Sequence, residues 1–211
     1  KCKIGVHCRD NLFKNQPHLE YRNSSIEFLI ESIKNVYQNA SIIRYGKAGK
    51  RIEKDPKVVI DSNEVAVHEP SLLKSLDLFI GTSSGCGIFA STIYNIPTIL
   101  VNVTIVNFME LVDENCIVTL KVFEIEKANK RNIPKMKDFV QLLTGDWNKI
   151  RIPFREMNIS ELTSVLHEAS SNIGFTKRFH DVDPMFDKIL GNGSMMKISD
   201  LTYKNLKKVC L

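Results

Sequence analysis

Residues 77–102 limit the fold more than any other part of the chain. They open with an apolar run at 78–80 that is too short for a helix and ends at Gly81. A small polar cluster follows, and apolar residues then recur at helical spacing until Pro97, after which 98–101 form a second apolar run. The pattern predicts a β–turn–α–β unit with a turn rich in glycine and serine.

The turn of this unit, Gly-Thr-Ser-Ser-Gly at residues 81–85, lies at the N-terminus of the predicted helix. Backbone N–H groups without an intrahelical partner and the positive end of the helix dipole meet there, so the turn favours an anion. Ser83 or Ser84 would serve equally well as an ordinary N-cap. The shape of the turn leaves both interpretations open.

Composition narrows the classes of protein. The chain has 211 residues, of which 43% are hydrophobic and 25% charged, so it can bury a substantial core and is not a disordered tail. Its net charge of +5 is spread along the sequence. This excess fits an anionic ligand or a membrane surface better than a nucleic acid, which we do not expect as a partner.

The cysteines and the apolar runs bear on the cellular compartment in which the protein is found. Five cysteines, an odd number without CxxC spacing, predict neither a zinc site nor a disulfide framework and favour the reducing cytoplasm. No apolar run is long enough to span a bilayer. The chain lacks an initial Met and enters a strand almost at once, so we expect it to be a piece of a longer protein.

The rest of the chain repeats the alternation of strand and helix. We predict strands at 3–7, 41–45, 58–60, 78–80 and 98–101, and helices at 24–38, 84–94 and 160–171. Asn23, Ser24 or Ser25 would cap the first helix, and Glu27 follows Ser24 at the spacing of a capping box. The alternation predicts an α/β fold with a doubly wound, Rossmann-like parallel sheet. We assign residues 1–172 to this domain and 173–211 to a helical and loop extension.

Polar clusters follow three of the predicted strands. They comprise His7, Arg9 and Asp10; Arg44, Gly46 and Lys47; and the turn at 81–85. Any one of them would pass for an ordinary loop. Because ligands of such sheets bind beyond the carboxyl ends of the strands, the three together predict a phosphate-type binding site.

Several motifs together resemble a family of bacterial glycosyltransferases of polysaccharide biosynthesis. The motifs are HCRD (7–10), YRNSSIEFLIESIK (21–34), IIRYGK (42–47), DLFIGTSSG (77–85) and IPTILVN (96–102). KDFVQLL (137–143) and REMNISELTSVLHEA (155–169) extend the resemblance over residues 3–172. The family is of the GT-B type and distantly similar to O-fucosyltransferases. GTSSG alone is less specific, since heptosyltransferases and sugar epimerases carry similar turns.

The resemblance implies that the chain is the C-terminal, nucleotide-sugar-binding half of a GT-B enzyme. The acceptor domain would then precede Lys1. The donor substrate would be a nucleotide-diphosphate sugar, with no metal and no other cofactor, and the acceptor a glycan or a lipid-linked saccharide. The implied location is cytoplasmic, with peripheral association at the inner face of the membrane.

The chemistry of such a transfer suggests roles for the basic residues. A departing diphosphate needs positive charge, and Arg9 is our first choice because its guanidinium can bind phosphate through two parallel hydrogen bonds. The alternative for Arg9 is a surface ion pair with Asp10. Arg44 and Lys47 would be further cations, although Lys47 would also fit a solvated basic loop.

Other residues receive binding or catalytic roles. His7 and Asp10 are the catalytic candidates, Asp10 as a base if the acceptor reaches it; a histidine that ends a buried strand is also often a core residue. Glu156 would accept a hydrogen bond from a ribose or sugar hydroxyl. The turn would bind the phosphates through backbone N–H and hydroxyl groups, and its residues are Gly81, Thr82, Ser83, Ser84 and Gly85.

Two rival classes stay open. One is a nucleotide-sugar epimerase-like enzyme of the same fold, which would need catalytic carboxylates and histidines at defined places. The other is a non-catalytic remnant or interaction domain that has kept only the fold. Stabilisation by nucleoside diphosphates or nucleotide sugars is expected of a transferase domain and not of a remnant.

Overall fold

The computed structural model describes residues 2–9, 23–45, 58–61, 73–104, 116–124, 154–171, 177–182, 184, 186 and 197–210. The strands are β1 (Lys3–His7), β2 (Ser41–Tyr45), β3 (Val58–Asp61), β4 (Leu78–Gly81), β5 (Thr98–Val103), β6 (Cys116–Leu120), β7 (Val122–Phe123), β8 (Phe154–Arg155) and β9 (Lys197–Ile198). The helices are α1 (Ile26–Val36), α2 (Gly85–Ile88, continued by a π-helix over Phe89–Ile93), α3 (Ile159–Ser170), α4 (Phe179–Val182) and α5 (Asp200–Cys210).

Seven strands form one sheet in the order β3-β2-β1-β4-β5-β6-β9, and every neighbouring pair in it is parallel. β7 and β8 form a separate antiparallel pair. The predicted α/β, Rossmann-like doubly wound sheet is therefore confirmed, and all five predicted strands belong to it. The strand order reverses between β1 and β4, which is the topological switch point where such sheets bind ligands.

The sheet buries one apolar layer on each face. On the first face, β-strand residues such as Ile4 and Ile80 pack in one cluster with the buried sides of α1 and α3. On the second face, Phe79 and Tyr45 pack with Ala90 of α2. Because successive side chains of a strand point to opposite faces, the near-continuous apolar strands of the sequence correspond to a sheet covered on both sides.

The helix that covers the first face begins one residue later than a capping box at Ser24 would require. Ser25 is the N-cap of α1, and its Oγ accepts from the N–H of Phe28 at 3.2 Å. The predicted box between Ser24 and Glu27 is wrong, since Glu27 Oε2 instead accepts from the Ser25 hydroxyl at 3.0 Å. The N–H of Ser25 donates instead to the carboxylate of Glu156, which precedes α3 in the chain.

The second helix on this face, α3, does carry a complete capping box. Asn158 Oδ1 accepts from the N–H of Glu161, and Glu161 Oε2 accepts from the N–H of Asn158, each at 2.9 Å. The predicted helix at 160–171 is thereby confirmed at 159–170. Among the described residues, no helix has both the length and the apolar character needed to cross a bilayer.

Candidate functional site

The loops that follow β1 and β4 are hydrogen-bonded to each other at the switch point. The backbone N–H of Arg9 donates to Thr82 Oγ1 at 3.1 Å, and the N–H of Thr82 donates to the carbonyl oxygen of His7 at 3.0 Å. Thr82 is only 2% exposed, so water competes little for these bonds. Two of the three polar clusters found in the sequence are thus joined at one place.

The helix N-terminus at this place belongs to α2. Its N-cap is Ser84, the second of the two candidates from the sequence; Ser84 has an extended backbone, and its Oγ accepts from the N–H of Gly87 at 3.4 Å. Ser83 lies buried in the same turn. Since the first N–H groups of a helix have no acceptor within it, the start of α2 presents donors at the switch point.

Two glycines of this region are explained by packing, and a third is not. A Cβ on Gly81 would lie 2.5 Å from the carbonyl oxygen of His7, and one on Gly87 would lie 3.1 Å from Leu100 Cδ2. Among the residues that the structure describes, none has an atom within 4 Å of a Cβ on Gly85, and this glycine is exposed. The described contacts therefore give no packing reason for a glycine at position 85.

His7 and Arg44 lie on opposite faces of the sheet. His7 pairs in register with Gly81 and is half-buried; strand alternation places it on the face of α2. Arg44 is 2% exposed at the carboxyl end of β2, and alternation from Ile42 places it on the face of α1. Arg44 is therefore a buried cation in the strand next to β1, and its role in binding stays a prediction.

Two predicted site residues lie outside the described residues. They are Asp10, the proposed base, and Lys47, the proposed further cation. Their roles stay predictions from the sequence.

The Glu156 carboxylate has a partner within the fold. Its Oε2 accepts from the backbone N–H of Ser25 at 2.7 Å, which is the bond that a capping box would otherwise supply to α1. A carboxylate at a helix N-terminus is also favoured by the helix dipole. The predicted bond from a ribose or sugar hydroxyl to Glu156 stays a prediction.

A buried lysine, Lys121, was missed by the sequence reasoning. It lies between β6 and β7, is 7% exposed, and donates from Nζ to the carbonyl oxygen of Asn23 at 2.7 Å. Burial lowers the pKa of Lys121, and the nearby Glu156 and Cys8 partly oppose this shift. The available signal was its position as the one charged residue in the apolar run 116–123.

Asn102 was also missed as a structural residue. It has a φ of 52°, within an irregularity of β5, and its buried Oδ1 accepts from the N–H of Met157 at 2.8 Å. Asparagine tolerates this left-handed conformation better than most residues. An asparagine at the end of an apolar strand run was the signal in the sequence.

Within the described ranges, no group of three or more His, Cys, Asp or Glu side chains is arranged to hold a metal ion. Comparison of the chain with protein-family models, with curated proteins and with solved structures returned no match.

Proposed function

We propose that the chain is the donor-binding domain of a glycosyltransferase and binds the diphosphate of a nucleotide sugar at the switch point. The observation that carries the proposal is that two hydrogen bonds of Thr82, with Arg9 and His7, join the Arg9 loop to the turn at 81–85. Two of the motifs that resemble the bacterial GT-B family, HCRD and DLFIGTSSG, include these two loops. The domain would then be the C-terminal half of a GT-B enzyme.

The unexplained glycine supports an anion at the start of α2. Gly85 is the first residue of this helix, and the space where its Cβ would stand is open. Glycine at such a position permits the backbone N–H groups to approach a phosphate closely, as in other phosphate-binding turns. A role as plain helix cap needs only Ser84 and leaves Gly85 unexplained.

The proposed chemistry is the stabilisation of a leaving diphosphate without a metal. Negative charge grows on the nucleoside diphosphate as its oxygen leaves the anomeric carbon of the sugar and the acceptor oxygen takes its place, and preorganised hydrogen-bond donors lower the barrier. Arg9 would supply the positive charge, and the N–H groups of Ser84 and Gly85 would bind the phosphate oxygens. His7 and Asp10 remain the proposed catalytic residues, and Arg44 and Lys47 the proposed further cations.

Two observations argue against an epimerase-like enzyme. In dinucleotide-binding domains, a glycine-rich turn after the first strand brings the pyrophosphate to the N-terminus of the first helix. Here no glycine occurs between Cys8 and Ser25, and the Glu156 carboxylate already binds the N-terminus of α1. A second anion at that helix end would be repelled, which leaves α2 as the better anion site.

The remaining parts of the proposal concern partners. We infer a glycan or lipid-linked acceptor presented by a second domain, in the cytoplasm at the inner face of the membrane. This follows from the resemblance to the GT-B family and from the net charge of +5, which suits an anionic surface.

A thermal-shift screen tests the proposal. It would compare nucleoside monophosphates, nucleoside diphosphates, nucleotide sugars and NAD, each with EDTA and with Mg²⁺. We expect stabilisation by at least one nucleoside diphosphate and its sugar conjugate, equally in EDTA. Stabilisation by NAD, with or without a nucleotide sugar, would favour the epimerase-like class, and no response to any compound would favour a non-catalytic remnant.

A further inference from the structure

Residues 23–25, here called the 23–25 segment, connect the Arg9 loop with the side chains of Lys121 and Glu156. On one side, the N–H of Ser24 donates to the carbonyl oxygen of Arg9 at 3.0 Å. The thiol of Cys8 donates to the carbonyl oxygen of Ser24 at 2.9 Å. The segment therefore fixes the residues that follow β1.

Two charged side chains hold the other side of this segment. Lys121 Nζ donates to the carbonyl oxygen of Asn23 at 2.7 Å, and Glu156 Oε2 accepts from the N–H of Ser25 at 2.7 Å. Hydrogen bonds with one ionised partner are shorter and about twice as strong as neutral ones. Lys121 and Glu156 have opposite charges and bind the two ends of a three-residue segment.

Both charged residues are anchored to the central strands. The N–H of Lys121 donates to the carbonyl oxygen of Val103 at 3.0 Å. Glu156 is followed by Met157, whose N–H is bound by the buried Asn102 side chain at 2.8 Å. The two anchors start from β5, so their position relative to β1 and β4 is fixed by the sheet itself.

We propose that Lys121 and Glu156 are positioning residues, which fix the backbone of Arg9 through the 23–25 segment. The inference rests on the proposed function of Arg9 as the diphosphate ligand. Arg9 is held from two directions, its N–H by Thr82 and its carbonyl oxygen by Ser24. Binding sites need such support because a displacement of about 1 Å in a ligating group already weakens its contact.

Amide hydrogen exchange in the protein without ligand tests the positioning directly. The variants are Glu156→Ala, Glu156→Gln and Lys121→Met, with Glu31→Ala as a control because it removes an exposed carboxylate from α1, the helix whose N-terminus Glu156 binds. We expect Glu156→Ala and Lys121→Met to speed exchange at Ser24 and Arg9 about tenfold or more, as loss of a charge-assisted bond implies. Exchange at the core residues Val6 and Ile33 should not change.

The conservative variant Glu156→Gln separates positioning of the Arg9 backbone from a general loss of stability of the fold. In the Glu156→Gln variant the side-chain amide oxygen can still accept from Ser25, so this variant should keep slow exchange at Ser24 and Arg9. Glu31→Ala should also leave them slow. Unchanged exchange at both amides in Glu156→Ala and in Lys121→Met would overturn the inference.

A titration with inorganic pyrophosphate, followed by NMR, separates this inference from the proposed function. We expect Glu156→Ala to weaken pyrophosphate binding about tenfold and Glu156→Gln to leave it near the wild-type value. Faster exchange at Arg9 with unaltered pyrophosphate affinity would overturn the inference that this positioning serves anion binding. If the wild-type protein does not bind pyrophosphate, the proposed function fails, while the exchange rates at Ser24 and Arg9 still decide whether the two residues position the loop.

Discussion

The N–H of Arg9 and the Oγ1 of Thr82 are 3.1 Å apart and join two loops whose residues are 73 positions apart in the sequence. The bond lies where the strand order reverses, between β1 and β4. It places the strongest candidate for a phosphate-binding side chain beside the glycine- and serine-rich turn. The anion site that we propose depends on this relationship.

Replacement of Thr82 by valine tests that relationship. Thr82→Val keeps the shape of the side chain but removes the acceptor for Arg9, so we expect a loss of about 1–2 kcal/mol in unfolding free energy and weaker binding of nucleoside diphosphate. Chemical denaturation and calorimetric titration would measure the two effects.

The matched control is Thr98→Val at the amino end of β5, away from the carboxyl ends of the strands where Thr82 lies. Thr98 is equally buried, and its hydroxyl donates to the carbonyl oxygen of Ile96 at 2.9 Å. This variant should lose similar stability and keep its affinity. Equal affinity in both variants would show that the Thr82 bond has no part in binding.

Substitutions in the turn distinguish an anion site from a plain helix cap. Gly85→Asp should fold, since its side chain enters open space and an acidic residue suits a helix N-terminus, but it should abolish nucleotide binding by repulsion and by filling the approach to the backbone. Ser84→Ala should cost about 1 kcal/mol because it removes the cap. Melting temperature and affinity would be measured for both.

Gly81→Ala provides the contrast to Gly85→Asp. Its Cβ would meet the carbonyl oxygen of His7 at 2.5 Å, so we expect a clear loss of stability, of about 1–3 kcal/mol. If Gly85→Asp binds nucleotide normally while folded, the turn at 81–85 does not hold a phosphate.

The fold was predictable from the sequence because the strands are short apolar runs and the helices keep a regular spacing. The turn at 81–85 was predictable for the same reason, since it lies between two such elements. Its cap was left between Ser83 and Ser84, because both have the same side chain and only the backbone geometry decides. Local patterns therefore located the elements and the turn.

Contacts between distant segments were not predictable. Ser24 and Glu27 were expected to form a capping box, but the Glu156 carboxylate accepts the hydrogen bond from the start of α1 instead. The position of Glu156 depends on how α3 packs against α1. Lys121 is buried because its ammonium reaches the Asn23 carbonyl, which no local pattern reveals. Partners so far apart in sequence are set by tertiary packing.

Asn102 allows a further test of such a long-range contact. Asn102→Ala leaves the buried N–H of Met157 without its acceptor and places alanine in a left-handed conformation, so we expect a loss of about 2–4 kcal/mol. Asn102→Gly relieves the backbone strain and should lose about 1 kcal/mol less. Equal stability of the two variants in urea denaturation would contradict the conformational part of this explanation.

The start of α3 should make the stability of the fold depend on pH in the acid range. Glu161 receives two hydrogen bonds from the Arg155 guanidinium, at 2.7 and 2.8 Å, and these bonds lower the pKa of Glu161 below its ordinary value of 4.5. Because the folded pKa is the lower one, the carboxylate stabilises the fold at pH above 4.5, and this contribution is lost as the pH falls through the folded pKa.

We therefore expect the unfolding free energies of wild type and Glu161→Gln to differ most near neutral pH and to converge in acid. Arg155 is partly exposed, so the expected difference at pH 7 is about 1 kcal/mol rather than the full value of a buried pair. Unfolding in urea at several pH values would measure it. A difference that stays constant down to pH 2 would contradict this origin of the shift.

The most direct test of the anion site is the affinity of Arg9→Ala for nucleoside diphosphates, measured by calorimetry beside Lys3→Ala. Lys3 is exposed at the amino end of β1, the end of the strand that lies away from Arg9. Its replacement by alanine changes the net charge as much as Arg9→Ala does, but far from the proposed site. We predict at least about a tenfold loss of affinity for Arg9→Ala, as removal of a charge-assisted bond implies, near-wild-type affinity for Lys3→Ala, and nearly unchanged melting temperatures. Wild-type affinity in Arg9→Ala, or an equal loss in both variants, would contradict the proposed site.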